Sequence, residues 1–266
     1  MTAYPAILPE ARPVENKVLS IFLDWLSNPE HEKLSILELG CGVGNYSRAL
    51  GEKGHTVISV DIDYDSLAFL KKNDRSGNCG VICADVTTPV LRGEQRFDII
   101  IASEVLEHVK EPDYVLEMMN RLIRPTGCIF ITIPNGFGPW EVFNRIQSRP
   151  WFFKILYFPF YWPVYLRNCF LPSRKKDTEH PSREKYRCTL NRASPHLQFW
   201  TLGRFRNLLK EKHLQVVRTH NTSLSYVWLP FYHRLKCRAL DNLDIRIADF
   251  LPHAMVSGWI LKVQKT

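Results

Sequence analysis

At 266 residues with 45% hydrophobic side chains, the chain can bury a full core. That excludes a disordered class and leaves one large domain, or one domain with a sizeable insertion. The formal net charge of +8 bears on partners only where it is clustered, and residues 137–200 hold 11 Lys/Arg against 4 Asp/Glu, nearly all of the surplus.

The first residues, MTAYPAILPEARPVENK, lack the charged start and apolar core of a secretory leader. The seven cysteines are odd in number, scattered and without a C-x-x-C pair, so neither a disulfide framework nor a zinc site is expected. Both features predict a reduced, cytoplasmic protein. Cys41, Cys79, Cys83 and Cys128 fall in or beside apolar runs, where a reduced cysteine packs as a small hydrophobe. Val14, Val18, Phe22 and Trp25 recur at helical spacing. Short β-branched runs follow: SILEL (35–39), TVISV (56–60), GVICA (80–84), FDIIIA (97–102) and CIFITI (128–133). Runs so continuously apolar predict strands buried on both faces of a parallel sheet.

The clearest helix is expected over 111–124. Pro112 suits its first turn, and Val115, Met118, Met119 and Leu122 form a stripe. Arg121 and Arg124 sit at its end, with Pro125 and Gly127 to stop it. This alternation predicts an α/β, doubly wound, mostly parallel sheet, with its core in residues 1–136.

After Pro134 the character changes. Residues 137–170 carry 13 of the 32 aromatic residues, and the basic stretch PSRKKDTEHPSREKYR follows at 172–187. Residues 150–172 are long enough to suggest a membrane span, but Pro159 and Pro163 interrupt it and Lys154 and Arg167 lie within it. The segment reads instead as a membrane-interface element facing anionic lipid, or as a substrate lid packed on the protein. Stacking on nucleic acid calls for interleaved basic and aromatic residues, and here the basic stretch largely follows the aromatic block. At Thr201 the α/β pattern resumes with an N-cap and a face of Leu202, Phe205, Leu208 and Leu209. LQVVRTH and GWILKVQK then read as closing strands, so residues 137–200 are an insertion and 201–266 complete the same sheet.

Between the first strand and the next helix stands ILELGCGVGNYSRAL (36–50), with Gly40, Gly42 and Gly44 at alternate positions. A dinucleotide turn needs G-x-G-x-x-G, and the place of its third glycine is Asn45. Glu38, ahead of the turn, disfavours a phosphate and suits a cationic ligand. A nicotinamide-dependent oxidoreductase fails on both counts.

This E-x-G-x-G-x-G turn resembles motif I of the class I S-adenosylmethionine-dependent methyltransferases. Four further segments agree in order: VISVDID with Asp61, CADV with Asp85, FDIIIASEVLEHV (97–109) and LIRPTGCIFITIPN (122–135). The resemblance is close over residues 14–136 and looser at the end. It implies a seven-stranded Rossmann-like sheet and S-adenosyl-L-methionine as cofactor. The implied cofactor-lining set is Glu38, Gly40, Cys41, Gly42, Gly44, Asn45 and Tyr46, then Asp61 and Ile62, Asp85 and Val86, Ser103 and Glu104. In the family the counterpart of Asp61 takes both ribose hydroxyls, a task for an acceptor-only carboxylate, and that of Asp85 meets the adenine amino group. Read without the resemblance, the glycines serve a tight turn, Asp61 ends a strand, Asp85 starts a turn, and Asn45 and Tyr46 begin a helix.

Methyl transfer requires a base only when the acceptor is a hydroxyl or a carbon, and histidine suits that role. His108 lies in SEVLEHV, similar to the LEHV of ubiquinone-biosynthesis O-methyltransferases, where the histidine is often structural or cofactor-lining. His196, in SPHLQFWT, precedes the helix at Thr201 and could instead cap or stack. Of Glu104 and Glu107, one is expected to face the site and the other solvent. The fifth strand ends in TIPN and lacks the N/D-P-P-Y signature of amide or nucleobase nitrogen methylation. With the aromatic insertion, the resemblance implies O-methylation of a hydrophobic small-molecule or lipid-like acceptor at a membrane surface. RNA or protein as acceptor, and a cofactor-binding module without turnover, are the alternatives.

Overall fold

The computed structural model describes residues 13–26, 33–88, 96–139, 141–142, 196–224 and 238–266. The segments 150–172 and 172–187 lie outside the described residues. In chain order the elements are α1 (Pro13–Leu26), β1 (Ser35–Leu39), α2 (Asn45–Glu52), β2 (Thr56–Asp61), α3 (Tyr64–Asn73), β3 (Cys79–Cys83), β4 (Phe97–Ser103), α4 (Pro112–Leu122) and β5 (Ile123–Pro134). Then come α5 (Leu202–Glu211), β6 (Leu214–Asn221), α6 (Arg238–Phe250) and β7 (Gly258–Lys265).

The strands form one sheet in the order β3-β2-β1-β4-β5-β7-β6. Strands β1 to β5 run parallel, and β7 enters antiparallel between β5 and β6. The order reverses at β1 and β4, so the turns after these two strands share one edge, where open α/β sheets bind ligands. Strand alternation divides the core between the two faces. Ile36, Ile99, Ile101 and Phe130 pack on the face that carries α1, α2 and α3, while Leu37, Ile100, Ala102, Ile129 and Ile131 pack on the face of α4 and α5. On the first face Phe22 stacks on Phe130 at 4.8 Å between ring centroids, with Trp25 at 5.2 Å.

Three expectations change. The run 80–84 is not buried on both faces: β3 is the sheet's edge, and Val81 and Cys83 are exposed. The helix expected over 111–124 stops at Leu122, because Ile123 turns extended and pairs with Phe97 on β4. Arg124, assigned by its sequence to the helix end, instead pairs with Asp98, whose other oxygen accepts from the Ser35 amide at 2.8 Å. Helix α6 had no counterpart among the expected elements. It packs against α1 through Lys17, a fully buried lysine. The Lys17 ammonium donates to the carbonyls of Thr222 (3.0 Å) and Ile245 (2.8 Å) and to Asp249 (2.6 Å). Burial holds its pKa below the usual lysine value despite Asp249. Among the described residues no helix is long and apolar enough to cross a membrane.

Candidate active site

The turn after β1 is shaped by its glycines. Gly40, Gly42 and Gly44 all have positive φ, at 65°, 51° and 73°, a region that costs an L side chain strain. At two of them the neighbours also forbid a side chain. A Cβ on Gly40 would meet Val105 at 2.5 Å, and one on Gly44 would collide with Leu70. Gly42 differs, since nothing lies within 4 Å of where its Cβ would be. The middle of the turn therefore offers bare backbone to open space.

Asp61 ends β2 beside this turn and is 7% exposed. Its Oδ2 accepts from the Gly42 amide at 2.6 Å and its Oδ1 from the Asp63 amide at 2.9 Å. A carboxylate has about four lone-pair sites, so each oxygen keeps acceptor capacity for a further donor. The amides of Gly40 and Cys41 bind the Val60 carbonyl (2.8 and 3.1 Å) and pin the turn to β2.

The other expected cofactor residues divide into two groups. Tyr46 is buried against Phe22, and burial raises its phenol pKa. Ser103 meets the Thr132 hydroxyl at 2.9 Å. Glu104, at φ 54°, leaves β4 in a left-handed turn and accepts from Thr132 Oγ1 at 3.0 Å. Ile62 is 59% exposed, and Val86 half-buried. These line the sheet edge. Asn45 instead engages Arg48 and Glu15 on its own side of the turn, and Cys41 is buried, which raises its thiol pKa. Asp85 is exposed and caps its own turn, accepting from the Thr87 amide and hydroxyl at 2.8 and 2.7 Å. That is the turn-starting role readable from the residue alone.

Glu38 does not present its charge to a ligand. It is 2% exposed and bonded by the Ser47 hydroxyl, which also meets Ser59 at 2.6 Å. Burial raises its pKa to about 7. A carboxyl whose folded pKa lies above its unfolded value contributes stability below the unfolded value and loses it as pH rises through the folded one. The wild type should therefore lose up to about 3 kcal/mol more than Glu38→Gln between about pH 4.5 and 7.5. Urea midpoints of both proteins across that range measure this, and parallel curves would exclude the raised pKa.

The two histidines come together. The rings of His108 and His196 are 5.0 Å apart in an edge-on arrangement. The amides of Leu197 and Gln198 donate to the Glu107 carbonyl (2.7 and 3.1 Å), holding the segment after His196 onto the turn that carries His108. His196 Nδ1 lies 2.8 Å from Glu141 Oε1, and this hydrogen bond raises the His196 pKa against the opposing effect of burial. The expected division of the SEVLEH carboxylates between site and solvent fails at Glu107. Glu104 is exposed at the site edge, but Glu107 is fully buried, with its pKa raised well above the usual range by burial and by Glu104. Glu107, His108 and His196 each bring one ligand-type atom within 4.8 Å of the others, but burial favours the neutral acid of Glu107, whereas a cation ligand must be deprotonated. Sequence spacing offers no such cluster; the fold assembles it from two distant segments.

Sequence reasoning missed Thr132 and Glu141. Thr132 is a lone hydroxyl within CIFITI and was detectable as such. Glu141 carries no local signal.

The methyltransferase-domain family pattern matches residues 12–219. The chain is 28% identical over 152 residues to a ubiquinone biosynthesis O-methyltransferase of Leptothrix cholodnii, covering 55% of this chain and 64% of that protein. It is 30% identical over 123 residues to the protein of that name from Pseudomonas fluorescens, covering 46% and 53%. The aligned part thus spans about half to two thirds of these relatives. Among solved structures, magnesium protoporphyrin IX methyltransferase from Synechocystis superposes with a TM-score of 0.57 at 13% identity, over 95% of this chain and 84% of that one. A putative sarcosine dimethylglycine methyltransferase from Galdieria sulphuraria gives 0.56 at 17%, over 94% and 84%. These two likenesses establish the fold, and the sequence match establishes the family: the chain belongs to the methyltransferase-domain family.

Proposed function

We propose that this chain is an S-adenosylmethionine-dependent O-methyltransferase that acts on a hydrophobic, hydroxylated small-molecule or lipid-like acceptor at a membrane surface. The observation that carries the reading is the pairing of Gly42, open to space, with Asp61, whose two oxygens each keep acceptor capacity beside it. That combination fits a ligand with a vicinal diol lying over the turn. Gly42 would give the donor close backbone approach, with Gly40 and Gly44 shaping the turn around it, Asp61 would take the ribose hydroxyls, and Ile62 would cover an apolar face of the base. Asp85 would meet the adenine amino group after leaving its own turn. Tyr46, Ser103 and Glu104 close the side toward β4.

When bound, the donor's sulfonium supplies an electrophilic methyl carbon. The protein's part is alignment, exclusion of water and removal of one proton. His108 and His196, whose rings lie 5.0 Å apart, are the candidates that would face the acceptor. The names of the relatives and the aromatic sequence of residues 137–170 support a hydrophobic acceptor, and the basic surplus nearby supports contact with anionic lipid.

The test is to incubate the protein with methyl-labelled S-adenosylmethionine and a total cell extract, then partition the label. Label should enter the organic phase. Label confined to RNA or protein would replace this reading with a macromolecular acceptor, and cofactor binding without any transfer would make the chain a binding module.

A further inference from the structure

We propose that Glu141 is a positioning residue for His196: it holds the proton on Nδ1, so that Nε2 is the nitrogen that takes a proton from the acceptor. The base role rests on the function proposed above; the tautomer does not.

The geometry comes from both sides of the pair. Glu141 is 6% exposed, on a helical turn that the Val142 amide closes onto the Gly138 carbonyl at 3.0 Å. The strip that leads to it runs against the strip around His196. The Gly136 amide donates to the Trp200 carbonyl at 3.0 Å, and a Cβ on Gly136 would meet Phe199 Cα at 2.7 Å. On its other side His196 is fixed through Leu197 and Gln198 to the Glu107 carbonyl. The two partners are 55 residues apart in sequence, and backbone contacts hold both of their strips in place beside the side-chain pair.

A carboxylate is an acceptor only. At 2.8 Å from Nδ1 it selects the tautomer with hydrogen on Nδ1, and the lone pair of a neutral ring then sits on Nε2. Free imidazole side chains have no such constraint. In the transfer, the acceptor hydroxyl proton moves to Nε2 and the oxygen lone pair forms the bond to the methyl carbon. The electron pair of the broken carbon–sulfur bond stays on sulfur, and the positive charge ends on the imidazolium. Glu141 faces that charge directly; Glu104, Glu107 and His108 face it from the β4 side.

The experiment is ¹⁵N NMR of the His196 ring in the full chain, at a pH where it is neutral, in wild type, E141Q and E141L. Wild type should show a protonated Nδ1 and an unprotonated Nε2. E141Q, whose amide oxygen still accepts, should keep that tautomer, whereas E141L should lose it. Label transfer to a total lipid extract should fall about 10- to 100-fold in E141L, with S-adenosylmethionine affinity unchanged and partial recovery in E141Q. Hydrogen on Nε2 in the wild type, or an unchanged tautomer in E141L, would overturn the proposal. The wild-type spectrum decides the matter even if a variant fails to fold. Absence of transfer by the wild type would count against the O-methyltransferase reading and leave the tautomer result standing.

Discussion

Asp61→Ala should weaken S-adenosylmethionine binding by one to two orders of magnitude, about 1.5–3 kcal/mol, the range for hydrogen bonds to a charged partner. Two losses combine. On the function proposed above the substitution removes the acceptor for the ribose hydroxyls, and it also releases the Gly42 amide, which Asp61 holds at 2.6 Å. The turn then loses the tether that keeps its open glycine beside β2. Asp61→Asn is not a conservative escape. Its amide has one acceptor oxygen, so the amides of Gly42 and Asp63 cannot both be met without turning an N–H group toward one of them. Calorimetric titration measures the effect. An affinity within about threefold of wild type would remove Asp61 from the ribose position.

The largest stability effect is expected at Lys17. Lys17→Ala removes one partner of a buried charged cluster, which typically costs about 3–5 kcal/mol. The carbonyls of Thr222 and Ile245 would be left without their ammonium donor, and a void would open between α1 and α6. Lys17→Met keeps most of the volume. Asp249 is partly exposed, at 30% of its side chain, so it can rehydrate, and the methionine variant should lose only about 1–3 kcal/mol. Urea midpoints at constant slope separate the two. Equal losses would mean that packing is secondary and the hydrogen bonds carry the effect.

Much of the fold was legible because its signals are local. Each of the five β-branched runs became a strand, and the glycine turn sits where a strand hands over to a helix. The misreadings have physical sources. Whether GVICA is buried depends on its being the edge of the sheet, which no property of the run itself encodes. The end of α4 was misplaced by two residues because Ile123 is recruited by Phe97 across the sheet. Helix α6 was hidden by a mixed pattern: Ile245 and Ala248 are buried but so is Asp244, while Leu243, Ile247 and Phe250 are exposed, and Lys17, whose charge reads as a solvent position, faces it.

The site was legible in the same uneven way. The glycines, Asp61 and the edge residues are what the resemblance over the glycine turn and its four following segments implies, and the fold sets them along one sheet edge. The burial of Glu38 was not legible, because its place ahead of the glycines says nothing of which way it turns. The contact of His196 with Glu141 and with the turn of His108 exists only after the sheet has brought distant segments to one edge. Even the left-handed backbone at Glu104, which aims that carboxylate along the edge, has no sequence marker, since the residue is not glycine.

The placement of β7 bears on how the chain reaches this state during synthesis. Strands β1 to β5 can assemble as their residues appear, each crossover adding a neighbour. Among the described residues β6 pairs with β7 and not with β5, so it joins the sheet through β7. Until residues 258–265 are available, Ile129, Ile131 and Ile133 stand on an open strand edge, a template for intermolecular pairing. Such long-range closure is slow. A nascent chain paused before Gly258 should thus be the form of this protein most in need of a chaperone.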